Sequence, residues 1–554
     1  MNLSLLGTLL LFSGLTLGLA APLVSRLSLD AAEKLLATVT LSLTGVFLVA
    51  WLVYTTGLPS KILWTLPVLA LGGVIFSGPG FGAMWRNAEV RELGIGQVLV
   101  TLSCLGWLAL VGSYSGGGWA ADWFEHWERT RFFAERWPQD TLFLGRYPLT
   151  ARPPLANVIA AAFLQLTRVE FVHYQVISTL LGSLVFLPAA LLARRFGGRI
   201  AVAVLTVLLL VNPAFVQNAT FAWTKLPAAL FTLAAVYFFL RSQDGEAPRA
   251  APVIFAATLA AGLLAHYSTG PYALLLGVAW IALGWDRRGD RVWLRSTAIA
   301  AGVGFLIIAL WLGWSLAVYG TKGTLLSNSS ITALGVQTES PLTKIALNLR
   351  DTFVPHFLRP LDQTLIAQSS PWGRWRDVFF QSYQLNLFLL FGSTAWLVIL
   401  RELRRAGRET GARWVRFWGI FIAGAVVVGV AVHGNRDHWG LAHICLQPLL
   451  LLGISFLAAR WSTLALPWKI TVAIGVALDL AAGIVLHFWV QNHPANAVGI
   501  YNDSASMNFA AKLQHRVLFL NDVLTPPAAL VLALVLALLI IAVARARAAM
   551  SRSA

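Results

Sequence analysis

Apolar runs long enough to cross about 30 Å of hydrocarbon as helices recur from one end of the chain to the other, and no polar block of domain length separates them. They lie at roughly 3–24, 35–56, 62–77, 96–113, 174–193, 200–216, 226–241, 252–267, 270–285, 297–319, 384–400, 417–432, 440–458, 470–489 and 526–544. This pattern predicts an all-α polytopic membrane protein with about 13–15 transmembrane helices, large external loops and juxtamembrane helices. The first run lacks a basic n-region and is long for a signal h-region, so it is expected to be a retained span.

Basic clusters between the runs set the expected orientation. Arg194, Arg195 and Arg199 form one cluster, and Arg287, Arg288, Arg291 and Arg295 a second. Six arginines lie between Arg401 and Arg416, and Arg545, Arg547 and Arg552 follow the last run. Keeping all four inside leaves 114–173, 320–383 and 490–525 as external loops. It also requires that the apolar segment Leu155–Leu166 does not cross, which makes it a short juxtamembrane or re-entrant helix.

Charge is concentrated in the first external loop, where Gly116 to Pro154 reads GGGWAADWFEHWERTRFFAERWPQDTLFLGRYPLTARPP. At 100° per residue a helix over 119–133 places Asp122, Glu125, His126 and Arg129 on one arc and Trp119, Trp123 and Trp127 on the next. Tryptophans prefer the headgroup level, so this helix is expected at the water–lipid boundary with its carboxylates towards water. A solvated loop with an interfacial helix is the plainer alternative.

Composition narrows the field. Hydrophobic residues make up 58% of 554, charged residues only 12%, and the formal charge is +17. The positive charge follows the cytoplasmic clusters, so it is read as topology and no nucleic-acid partner is implied. Cys104 and Cys445 both sit in apolar runs, and no disulfide framework or zinc knuckle follows from them. Asp122 and His126, a turn apart, could share a divalent metal, but two ligands are few and an ion pair explains the spacing as well. No metal or other cofactor is expected. Asp479 is an isolated charge within an apolar run.

The order of motifs resembles the polyprenyl-phosphate-dependent glycosyltransferases of the C superfamily, in the branch of protein O-mannosyltransferases and the lipid A aminoarabinose transferase. Carrying the resemblance are Asp122, Arg152-Pro153-Pro154-Leu155, the Arg194 cluster, Asn212-Pro213, Trp223-Thr224-Lys225-Leu226-Pro227 and Thr269-Gly270-Pro271. It covers about 95–290, and Arg436 to Pro448 is similar to a late family segment. The resemblance implies a glycosyltransferase core over 95–320. Extra N-terminal membrane helices precede it over 1–94. An external loop follows over 321–383, then C-terminal membrane helices over 384–554.

The resemblance also implies a sugar donor carried on polyprenyl phosphate, an acceptor hydroxyl on a lipid, glycan or protein, and chemistry on the external face; the Arg- and Ala-rich composition leads to the expectation of a bacterial inner membrane. Asp122 stands where the family has its catalytic acid residue and is the expected general base. Glu125 is the second catalytic candidate, orienting the acceptor or pairing with Arg129 at i+4. Arg152, Lys225, His266 and Arg436 are candidates for the departing phosphate, with His126, Arg129, Tyr267 and His443 as further substrate contacts. Two positions depart from the family: Lys225 lies where many relatives have an acid, and His266-Tyr267-Ser268-Thr269-Gly270-Pro271 where they have Lys-Gly-Pro. Two other classes compete. A lipid-linked sugar flippase calls for ionisable groups through the midplane, whereas a polysaccharide polymerase or ligase calls for reactive arginines such as Arg359 and Arg374 in the later loops.

Overall fold

The computed structural model describes residues 3–112, 114, 122–145, 147–244, 246–327, 396–402, 404–405, 418–419, 421–428, 446–485 and 517–524, with a few positions between 340 and 349. Among the described residues the elements are helical apart from one isolated bridge between Phe143 and Tyr147. In chain order they are α1 (Leu3–Gly18), α2 (Ala21–Ser25), α3 (Ala31–Thr55), α4 (Thr65–Phe76), α5 (Gly78–Arg86) and α6 (Ala88–Leu108). Next come α7 (Asp122–Glu135), α8 (Leu155–Leu166), α9 (Phe171–Ser183), α10 (Phe186–Gly197), α11 (Arg199–Leu210) and α12 (Pro213–Thr220). The remainder are α13 (Lys225–Ser242), α14 (Ala251–Ala265), α15 (Gly270–Gly284), α16 (Arg291–Leu325), α17 (Leu446–Arg460) and α18 (Leu466–Gly483).

Seven helices among the described residues are long and apolar enough to cross a membrane, or nine if each of two bent pairs makes one span. The chain is a multi-pass membrane protein. Among the described residues, local chemistry decides where individual apolar runs break. The run at 200–216 breaks between α11 and α12 with a 70° bend. Pro213 has no N–H to continue α11, and the Asn212 side chain caps α12 by accepting from Phe215 N at 2.8 Å. The run at 252–267 stops as α14 at Ala265, where His266 is extended (φ −162°, ψ 139°). The segment that the charge pattern keeps from crossing is α8, whose 12 residues reach roughly 18 Å. The runs at 384–400, 417–432, 440–458, 470–489 and 526–544 fall partly or wholly outside the described residues.

Two compact units emerge. The first comprises 1–95, 125–177 and 224–332. In it α14 packs between α13 and α16, and α3 packs against α1, α8 and α14. A capping box starts α3, with Asp30 N donating to Glu33 Oε2 at 3.0 Å. The buried Glu33 then takes Arg241 Nε of α13 at 2.6 Å and Tyr237 Oη at 3.2 Å, so one acid both opens α3 and fastens it to α13. Gly18 and Gly73 let α1 and α4 cross backbone to backbone, since a Cβ on Gly73 would overlap the Gly18 carbonyl. The second unit comprises 96–124, 178–223 and 333–554. There α17 lies against α10 and α11, and α12 against α18, on which Asp479 is buried.

Candidate functional site

Within the first unit, four pieces of chain bring ionisable groups together. Helix α7 supplies Glu125, His126 and Arg129, all on its predicted polar arc. The turn before α8 supplies Arg152. Lys225 is the first residue of α13, and His266 and Tyr267 link α14 to α15. Antiparallel packing of α13 and α14 puts the start of one beside the end of the other, and His266 lies within electrostatic reach of Arg152, Lys225 and His126.

Glu125 is the anchor of the cluster. Its side chain is fully buried, and Oε1 receives Arg129 Nε at 2.8 Å, with Arg152 Nε at 3.5 Å from the same oxygen. Burial alone would raise its pKa, but Arg152 and then Arg129 outweigh that, and the carboxyl is held well below its ordinary range. An ionised carboxylate so paired does not take up a proton at neutral pH. Of the roles expected for Glu125, the i+4 pair with Arg129 is present, whereas a water-facing position from which to orient an acceptor is not.

Arg129 is equally committed. Nη1 donates to Leu149 O at 2.7 Å, Nη2 to Pro148 O at 3.0 Å, and the guanidinium lies 4.4 Å from the Phe143 ring centroid. At 1% exposure it stands behind the site rather than in it. Arg152 is more accessible, at 14%. The backbone next to it is fixed from two directions, because Tyr267 Oη donates to Thr150 O at 3.2 Å and Thr150 Oγ1 donates to Gly323 O at 2.6 Å.

The histidines are neutral for different reasons. Burial is the main cause that takes His126 down to about 3; Glu125 opposes it, and Arg152 and Arg129 add to the depression. Asn157, on the first turn of α8, hydrogen-bonds the ring. Nδ1 has no hydrogen-bond partner among the described residues, so Nε2 is the nitrogen that meets Asn157. His266 is partly accessible, and its Nδ1 accepts from Ser268 N at 3.0 Å. That bond requires the lone pair, which leaves the ring proton on Nε2. His266 therefore presents a donor.

Placement of α7 departs from the expected interfacial helix. Glu125, His126, Arg129 and Trp127 are all buried, and Trp127 packs on Phe171 and Tyr174 with ring centroids 5.6 and 5.3 Å away. Glu125 Oε1 meets Arg129 and Arg152, Arg129 also meets the 148–149 carbonyls, and one ring nitrogen of His126 meets Asn157 rather than water, while Glu125 Oε2 and His126 Nδ1 have no hydrogen-bond partner among the described residues. Asp122 is the first residue of α7 and is partly exposed. Trp119, Arg436 and His443 lie outside the described residues, as do Arg359 and Arg374. Sequence reasoning passed over Asn157, Thr150 and Phe143; only the first carried a signal, a polar residue opening an apolar helix. No group of three or more His, Cys, Asp or Glu suited to a metal occurs among the described residues.

Residues 98–320, which include every member of this cluster, match the dolichyl-phosphate-mannose-protein mannosyltransferase family. No curated protein sequence matches the chain. Among solved structures it is similar to ArnT from Cupriavidus metallidurans bound to undecaprenyl phosphate, with 17% identity, a TM-score of 0.49, and coverage of 80% of this chain and 76% of that one. It is also similar to the Archaeoglobus fulgidus oligosaccharyltransferase in its apo form, with 15% identity, a TM-score of 0.42, and coverage of 73% of this chain and 55% of that one. A third is AglB from the same organism, in complex with an inhibitory peptide and a dolichol-phosphate, at 15% identity and a TM-score of 0.39, again with 73% and 55% coverage.

Proposed function

We propose that this chain, whose residues 98–320 match that mannosyltransferase family, is a polyprenyl-phosphate-dependent membrane glycosyltransferase acting at the external face of a bacterial inner membrane. The donor is a sugar on polyprenyl phosphate, and the acceptor is a hydroxyl of a lipid, glycan or protein. The acceptor oxygen attacks the anomeric carbon while the bond from that carbon to the phosphate oxygen breaks. The bonding pair leaves with the lipid phosphate, and the hydroxyl proton passes to Asp122, at the start of α7. No metal is needed for these steps, because fixed cations meet the developing phosphate charge.

The observation that carries this reading is the basic cluster itself. Arg152, Lys225 and Arg129 gather with two neutral histidines around one paired carboxylate, in a part of the protein where burial strengthens each charge. Such a site suits an anion that gains charge as it leaves. Lys225, where many relatives have an acid, adds to the phosphate side of the reaction and not to the base.

Transfer of labelled sugar from a panel of polyprenyl phosphate sugars, by the full chain in nanodiscs, tests the proposal. Wild type should turn over at least one donor with chelator present, and Asp122→Asn should lose about a hundredfold or more, as for removal of a general base. Normal activity in Asp122→Asn would remove the base from the scheme, and strict chelator sensitivity would replace fixed cations with a metal.

A further inference from the structure

Resting on the reading above, we infer that Glu125 is a positioning residue for departure of the lipid phosphate: its Oε1 holds Arg129 and Arg152 at once and so fixes the direction of the Arg152 guanidinium. The contacts divide the two arginines by task. Arg129, at 1% exposure, is locked by Glu125, by the carbonyls of Pro148 and Leu149 and by the Phe143 ring, and serves as a strut. Arg152 meets the same carboxylate oxygen through Nε at 3.5 Å while its side chain stays 14% exposed. Its backbone is pinned two residues earlier by the Thr150 bonds to Tyr267 and Gly323. Glu125 then constrains the long Arg152 side chain at Nε.

The other carboxylate oxygen supports this division. Oε2 of the fully buried Glu125 has no hydrogen-bond partner among the described residues, so the group is held through Oε1, on the side of the arginines. A glutamine in its place keeps an acceptor for Arg129 but removes the negative charge that faces Arg152 Nε. Attraction of a phosphate by the cluster depends on net positive charge, which rises when the carboxylate is neutralised. Stabilisation of the leaving group depends on where the guanidinium points. The two effects therefore separate: Glu125 controls turnover more than binding.

A mutant cycle tests this in full-length protein in nanodiscs, with Glu125→Gln, Glu125→Asp, Arg152→Lys and the double variant Glu125→Gln/Arg152→Lys. Each is assayed for kcat and KM in sugar transfer and for binding of undecaprenyl phosphate. Glu125→Gln should lower kcat by about 10- to 100-fold, the range expected for a misplaced group. Its dissociation constant for undecaprenyl phosphate should stay the same or tighten, and Glu125→Asp should recover part of the rate. The double variant should be within about threefold of the slower single variant, because both changes act through one guanidinium. Should Glu125→Gln fail to fold, Glu125→Asp against Arg152→Lys carries the same cycle. Multiplying effects, an unchanged kcat, or a loss of phosphate binding equal to the loss of kcat would overturn the inference while transfer by wild type persists. A wild type that neither binds undecaprenyl phosphate nor uses any polyprenyl phosphate sugar removes the function itself, and this role with it.

Discussion

A buried histidine with a depressed pKa leaves a mark on stability that a surface histidine does not. Burial takes His126 down from an ordinary 6.5 to about 3, so below that ordinary value the unfolded chain binds a proton that the folded chain does not. Its contribution is therefore fully present above the unfolded value and is lost as pH falls, at up to about 1.4 kcal/mol per pH unit. Glu125 acts in the same direction but only in more acidic solution, because its folded pKa lies below the ordinary carboxylate range. Between about pH 7 and about pH 5 the histidine effect stands apart. Thermal unfolding in detergent over that interval should show falling stability in wild type and a flatter profile in His126→Gln, whose amide can still meet Asn157. An equal slope in both proteins would mean that His126 is not held neutral by its surroundings.

At the scale of elements, close backbone approach makes a sharper prediction than any side-chain contact. Gly72 and Gly73 are neighbours on α4, yet a Cβ on Gly73 meets the Gly18 carbonyl whereas the nearest atom to one on Gly72 is the Phe76 ring at 4.0 Å. Gly73→Ala should cost about 1–3 kcal/mol by forcing α1 and α4 apart. Gly72→Ala should be neutral or stabilising by up to about 1 kcal/mol through helix propensity. Unfolding midpoints of the two variants, measured side by side, decide it; a similar shift in both would mean that α1 and α4 do not cross so tightly.

The elements also show what a sequence can and cannot state about itself. Periodicity placed Glu125, His126 and Arg129 on one arc of α7, and the charge pattern singled out 155–166, which folds as the 12-residue α8. Periodicity does not say what a polar arc faces. Water and a second polar segment satisfy the same residues, and here the partner is the Arg152 turn with Asn157, brought in by folding at long range. The break at Asn212-Pro213 was written in those two residues, but a hydropathy window averages across it. The paired cluster of Arg129, Glu125 and Arg152 could be suspected only in its i+4 half.

Across the first unit as a whole, charge is kept to the two ends of α13. Lys225 opens the helix within the basic cluster, and Arg241 near its close is bound to the buried Glu33, roughly 24 Å away along the axis. The residues between them are apolar or uncharged, as a candidate span requires. Glu33→Gln breaks a buried pair that still leaves Arg241 Nη1 with Asp244 at 3.2 Å, so the expected cost is below the roughly 3–5 kcal/mol of an abandoned buried charge. Thermal stability should fall, while kcat and KM per folded molecule stay within about twofold, as expected for a distant site. Loss of transfer without loss of stability would tie that far end to the chemistry.

The bond from Ser268 N to His266 Nδ1 makes this imidazole a ready spectroscopic probe. A ring with one nitrogen engaged as acceptor keeps a single tautomer, so in protein labelled with nitrogen-15 at histidine its protonated Nε2 should give a resonance that does not average with the other form. Adding a lipid phosphate would move that line when the anion reaches the partly accessible ring. Arrival of the ligand could then be followed directly, in protein that turns nothing over.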